Sequence, residues 1–121
     1  MTRPLLDENH LHPAVRERIS RDGAEIIGAV QAAVAAHRVV VVGMSMNPFV
    51  KRARQALDAA GIAHHDIDYG GYHSQWRQRL MLKMWTGWPT FPMVFVRGVL
   101  VGGADDVRAL IARGELGPHA G

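Results

Sequence analysis

Two stretches of the chain carry the residue types from which a ligand site is built. The first, Trp88-Pro89-Thr90-Phe91-Pro92, ends on a proline set directly before a β-branched run. Proline has no N–H and cannot sit in mid-ladder, so a cis Phe91–Pro92 bond in a bend ahead of a strand is expected, leaving the Phe91 N–H and C=O for a ligand. The second, Gly102-Gly103-Ala104-Asp105-Asp106, joins two residues tolerant of unusual backbone angles to two carboxylates, ahead of Val107, Leu110 and Ile111. A helix start there offers N–H groups that favour an anion, and either aspartate also suits the cap.

Other reactive types are less telling. No cysteine occurs in the 121 residues, which excludes structural disulfides and thiolate metal sites. His64 and His65 are adjacent, so on a strand they point to opposite faces and make a poor metal pair. Met44 and Met46 are thioethers suited to Cu(I), but methionine more often fills core gaps. Histidines 10, 12, 37, 73 and 119 show no ligand spacing.

The elements that position these residues follow from periodicity. Residues 1–12 show none and read as an irregular tail. Pro13 suits a first helical position, and Val15, Ile19, Ile26, Ile27, Val30 and Val34 keep a helical spacing broken at Asp22-Gly23, so a short helix and a longer one are expected. Arg38 to Val42 is a continuous β-branched run of the kind buried on both faces. After the loop Gly43 to Met46, Asn47-Pro48 opens a helix whose apolar side carries Phe49, Val50, Ala53, Leu57 and Ala60, and Gly61 closes it. Ile62 to Asp68 reads as a second strand, parallel to the first because a helix joins them. Ser74 is the expected cap of a third helix with Trp76, Leu80, Met84, Met81 and Trp85 on one wide apolar face, ended by Thr86-Gly87. Met93 to Arg97 and Val99 to Val101 form a hairpin about Gly98, and the last helix follows. This order predicts an α/β thioredoxin-like fold, a four-stranded mixed sheet flanked by helices, with an extra N-terminal helical segment.

The WPTFP bend and the GG-x-D turn, at this separation and with this upstream order, resemble the glutaredoxin family, above all its monothiol branch, from about Arg38 to Leu116. On that resemblance residues 13–37 are a leading helical segment, 38–116 a glutaredoxin-like domain and 117–121 a tail. The family's C-P-Y-C or C-G-F-S box then falls on Asn47-Pro48-Phe49-Val50, with Asn47 on the first cysteine and Val50 on the second position. Neither an amide nor an isopropyl group forms a mixed disulfide, so ordinary glutaredoxin catalysis is excluded, as is an iron–sulfur cluster held by this chain's own thiolates. The family's lysine before the box falls on Met44, and its glutamine after the proline on Met93.

What the resemblance leaves is a glutathione-binding frame without metal. It puts Arg79 on the arginine that meets a glutathione carboxylate, Phe91 with Pro92 on the backbone that pairs with the cysteinyl part, and Gly103, Ala104 and Asp105 near the γ-glutamyl amine. The chemistry fits: a guanidinium fork for a carboxylate, an extended backbone for two hydrogen bonds, a carboxylate for an ammonium. Each residue also has a plainer reading. Asn47 before proline is explained by capping alone, Arg79 by a solvated helix face, and the prolines by the bend itself.

Composition narrows the partners. The net charge is +3, and the arginines are scattered rather than clustered, which argues against nucleic acid. No apolar run spans a membrane and no signal-peptide plan opens the chain, so a cytoplasmic location is the expectation. Three functions follow. The preferred one is a redox-silent module that binds glutathione, a thiol peptide or a protein partner. The second is a transferase with bound glutathione as nucleophile, its thiol receiving a hydrogen bond from Ser45 or the Asn47 amide; a chain this short lacks the large helical domain that usually holds the electrophile. The third is a structural or regulatory domain with a vestigial pocket.

Overall fold

The computed structural model describes residues 13–71 and 75–118, with side chains of the first helix described from Gly23 onward. The expected tail over 1–12, the Ser74 cap and residues 119–121 lie outside the described residues.

Helix α1 (Pro13–Ala36) is continuous, and the break expected at Asp22-Gly23 is absent. A glycine inside a helix costs only about 1 kcal/mol. A break would leave new sets of unpaired N–H and C=O groups, a larger loss. Strand β1 (Val39–Gly43) is buried at all five positions, as a central strand must be. Helix α2 (Pro48–Ala59) ends in paired bonds, Gly61 N–H to Asp58 O and Ile62 N–H to Leu57 O, with Gly61 at φ +71°. Because Ile62 is spent on that cap, β2 (His65–Asp68) starts three residues later than its sequence suggests. It runs parallel to β1, Val40 opposite His65 and Gly43 opposite Asp68.

Helix α3 (Trp76–Thr86) leads through the bend to β3 (Met93–Val96), β4 (Val99–Gly102) and α4 (Ala104–Ala112). The sheet order is β2-β1-β3-β4, with β3 antiparallel to both β1 and β4. Successive residues of β1 point to opposite faces and divide the core. Val40 and Val42 pack with Val30 of α1, Leu82 of α3, Met93 and Phe95. Val39 and Val41 pack with Ala53 and Leu57 of α2 and Val107 of α4. Each fully buried valine or leucine contributes about 1.5–3 kcal/mol relative to exposure. Mixed sheet, helices on both faces and leading helix make this a thioredoxin-like fold.

The face of α3 differs in part from the expected one: Trp85 packs on the core as expected and Met81 is half-buried, but the other three residues are not. Leu82 is fully buried and Arg79 is 8% exposed, whereas Trp76, Leu80 and Met84 stand 61%, 46% and 45% exposed. Apolar residues occupy most of the circumference of this helix, so periodicity alone does not select a side. Arg79 does: its Nη1 donates to the carbonyls of Tyr69 and Gly71 at 2.8 and 2.7 Å, which turns that side of the helix toward the sheet.

Candidate functional site

The loops at the carboxyl end of β1 and the turns flanking β3 and β4 meet along one edge of the molecule. There the Phe91–Pro92 peptide is cis, and Phe91 lies outside β3. Among the described residues its N–H and C=O enter no hydrogen bond, although the residue is buried. Backbone groups in that position ordinarily find a partner, so this pair can accept from and donate to a bound molecule. Lys83 Nζ of α3 stands 5.6 Å from the Phe91 ring centroid and brings a positive charge beside it.

Across from Phe91, Gly102 and Gly103 turn the chain into α4. The Gly103 N–H donates to Asp106 Oδ2 at 2.9 Å, the half of a capping box that a glycine cap allows. Gly102 has φ +119°, and a Cβ on it would meet Asp106 Oδ2, so this carboxylate and this glycine require each other. Asp106 is therefore the cap. Asp105, exposed in the first turn, is left to face the groove. Phe91, Pro92, Gly103, Ala104 and Asp105 line one groove of 270 Å³ together with Phe49, Trp88, Thr90 and Asp106. The Trp88 Nε1–H is buried without a partner, and Gly103, lacking a Cβ, leaves the space beside it open.

Arg79 does not line that groove. It is buried, contrary to a solvated-face reading, and holds the β2–α3 loop through Tyr69 and Gly71. That loop in turn accepts the Ser45 N–H at the Gly70 carbonyl, 2.7 Å. Burial pushes the Tyr69 phenol above its ordinary range.

Asn47 and Val50 have structural duties. Asn47 Oδ1 accepts the N–H of Phe49 at 2.9 Å and of Val50 at 3.2 Å, an N-cap ahead of Pro48 at the first helical position. Val50 is buried, and its methyl groups occupy the space where a Cβ of Gly43 would stand. Ser45 and Asn47 share a second hollow with Met44, Lys51, Arg54 and Asp68. Met44 itself is buried in the core. Arg54 is tied to Asp68 at 2.7 Å and to Asp66 at 3.4 Å.

His64 and His65 separate as expected of adjacent residues. His65 stacks on His37, ring centroids 4.1 Å apart. The two ring nitrogens of His64 lie 2.7 Å from Asp58 and 2.6 Å from Asp66. Burial lowers its affinity for a proton, but hydrogen bonds to the two carboxylates and their charges outweigh that and hold it above 6.5. No group of three metal-ligating side chains occurs among the described residues.

Sequence reasoning missed Phe49 and Lys83, and gave Trp88 only as part of the proline bend. Spacing puts Phe49 on the apolar side of α2, yet it stands 50% exposed at the groove. An aromatic in the first turn, before the helix has covered it, was the available signal.

The thioredoxin-like frame carries a proline bend opposite a glycine-aspartate helix start, and comparison with known proteins identifies the family to which this arrangement belongs. The sequence profile described as Glutaredoxin matches residues 39–101. A glutaredoxin-like protein of Dictyostelium discoideum is 43% identical over 93 residues, 77% of this chain and 76% of that one. A probable monothiol glutaredoxin of Legionella pneumophila is 36% identical over 70 residues, 58% and 75% of the respective chains. The crystal structure of a buckwheat glutaredoxin–glutathione complex superposes with a TM-score of 0.70 at 25% identity, covering 79% of this chain and 87% of that one. The chain belongs to the glutaredoxin family, and it does so without a cysteine.

Proposed function

We propose that this chain is a redox-silent glutaredoxin that binds glutathione or a thiol-bearing peptide between Phe91 and the start of α4. The observation that carries the reading is the unpartnered main chain of Phe91 opposite a free Asp105, with the neighbouring Asp106 already committed to the cap. In this reading the cysteinyl backbone of the ligand pairs with Phe91 and its α-ammonium meets Asp105 over the Gly103 and Ala104 turn. Arg79 supplies the cation for a carboxylate on the loop it holds. The exposed Phe49 beside the groove suits a peptide or protein bearing the thiol. With no protein thiolate the bound thiol is kept rather than exchanged.

Calorimetric titration with reduced glutathione tests this. Saturable binding tighter than about 10 mM that Asp105→Ala weakens is expected. Binding indifferent to Asp105→Ala and Arg79→Lys, or none, would leave a structural or partner-docking domain.

A further inference from the structure

A further cleft lies at the opposite end of the central strands. It lies where the carboxyl end of α1, the amino end of β1 and the Arg97-Gly98 turn of the β3–β4 hairpin come together, and encloses 660 Å³, within the range of small-molecule sites. Six residues of extended chain, Arg38 to Gly43, separate it from the loop bearing Asn47, about 20 Å.

Its walls are apolar and its charges are of one sign. Trp85 and Phe95, ring centroids 6.3 Å apart, form an aromatic surface beside Val34. Arg38, Arg97 and His37 supply the polar side, and among the described residues no carboxylate lines the cleft. The Arg38 guanidinium donates to the carbonyls of Gly117 and Pro118, which fixes its charge in place. Arg97 is held differently. Its N–H is bonded to Arg38 O at 2.8 Å, and its backbone has φ +50°, a conformation that glycine and asparagine adopt far more readily. Among the described residues its guanidinium makes no hydrogen bond and no ion pair. A side chain kept at a strained turn position, without a partner, beside an aromatic cleft is a candidate ligand contact.

The balance of charge selects the ligand. The carboxyl end of α1 contributes about half a negative charge, less than the full positive charge of Arg97. The net field is therefore positive and an anionic group is attracted, and the guanidinium of Arg97 offers its paired N–H donors to one carboxylate. We propose that this cleft binds a small aromatic carboxylate, its ring against Trp85 and Phe95 and its carboxylate on Arg97.

The test uses the full chain labelled with 15N, titrated with 2-naphthoate and, separately, with uncharged 2-naphthalenemethanol. The readouts are the Trp85 indole N–H and Gly98 amide resonances. Saturable shifts with a Kd below about 1 mM are expected for the carboxylate, with the alcohol about tenfold weaker. Arg97→Gly should weaken the carboxylate about tenfold, leave the alcohol unchanged and not lower Tm, because glycine suits φ +50°. No saturation by about 5 mM, equal affinity for both compounds, or carboxylate binding unaffected by Arg97→Gly would overturn the proposal. So would shifts confined to Gly103 and Asp105 with Trp85 unmoved. Glutathione plays no part in this titration, so failure of either site leaves the other standing.

Discussion

Asn47→Cys returns a thiol to the head of α2, and what it does there depends on whether the rest of the frame is intact. The cost can be read from the cap. Asn47 Oδ1 holds the N–H groups of Phe49 and Val50, and removing such a cap costs about 1 kcal/mol. For a chain of this size that lowers Tm by about 5 °C. In exchange, the new sulfur faces the two released N–H groups at the positive end of the helix, with Lys51 lining the same hollow. Both favour the thiolate and pull the thiol below its ordinary value of about 8.5. With glutathione disulfide, the introduced thiolate attacks one sulfur, the S–S bond breaks, and a protein–glutathione mixed disulfide forms with release of one glutathione thiolate. Mass spectrometry follows that adduct, and a disulfide without a γ-glutamyl group, hydroxyethyl disulfide, serves as reference. Asp105→Ala in the same background should slow the glutathione reaction about tenfold, as expected for a lost charge-assisted contact, and leave the reference unchanged. If Asp105→Ala slows both reactions equally or neither, the groove does not hold glutathione. An introduced thiol that titrates at or above about 8.5 would refute the helix-head argument.

Three further predictions rest on other parts of the fold. Asp106→Ala should lose about 1 kcal/mol in urea unfolding and Asp105→Ala less than about 0.5, because only Asp106 bonds the Gly103 N–H; equal losses would contradict the division of labour between them. Leu82→Ala should cost about 2–5 kcal/mol and Leu80→Lys about 0.5 or less, and the reverse order would mean that α3 faces the other way. The folded chain holds the His64 proton more tightly than the unfolded chain, so the Asp58–His64–Asp66 bridge stabilises fully below about pH 6.5 and fades as pH rises through the raised value. Subtracting the Tm-against-pH curve of His64→Gln from that of the parent should give a difference declining across that window, and parallel curves would remove His64 from the stability of the fold.

The parts of this structure legible in the sequence are those set by local chemistry. Asn47-Pro48 and Gly61 mark both ends of α2, and the β-branched run from Val39 marks a strand buried on two sides. Pro92 and the Gly102-Gly103 pair locate the groove by residue type alone. Where the choice belongs to tertiary contacts, local pattern misleads. The side of α3 is chosen by two carbonyls in a loop several residues upstream, which bind Arg79 and leave Trp76, Leu80 and Met84 outside. The continuity of α1 through Gly23 reflects cooperativity along the helix rather than the preference of one residue. The distinction between Asp105 and Asp106 needs the backbone of Gly103, because both occupy the first turn and either suits a cap by type.

The contact between Gly43 and Val50 sets an order on the substitutions this chain can accept. A Cβ at position 43 would lie 2.6 Å from Val50 Cγ1, while Val50→Ala alone only removes methyl groups from a buried site. Gly43→Ala is thus severe by itself and milder once position 50 has been reduced, a case of epistasis measurable with the two single variants and the double. Position 50 is also the second site of the family's box. A lineage that regained a small thiol there would first open this space, and only afterwards could residue 43 grow to fill it.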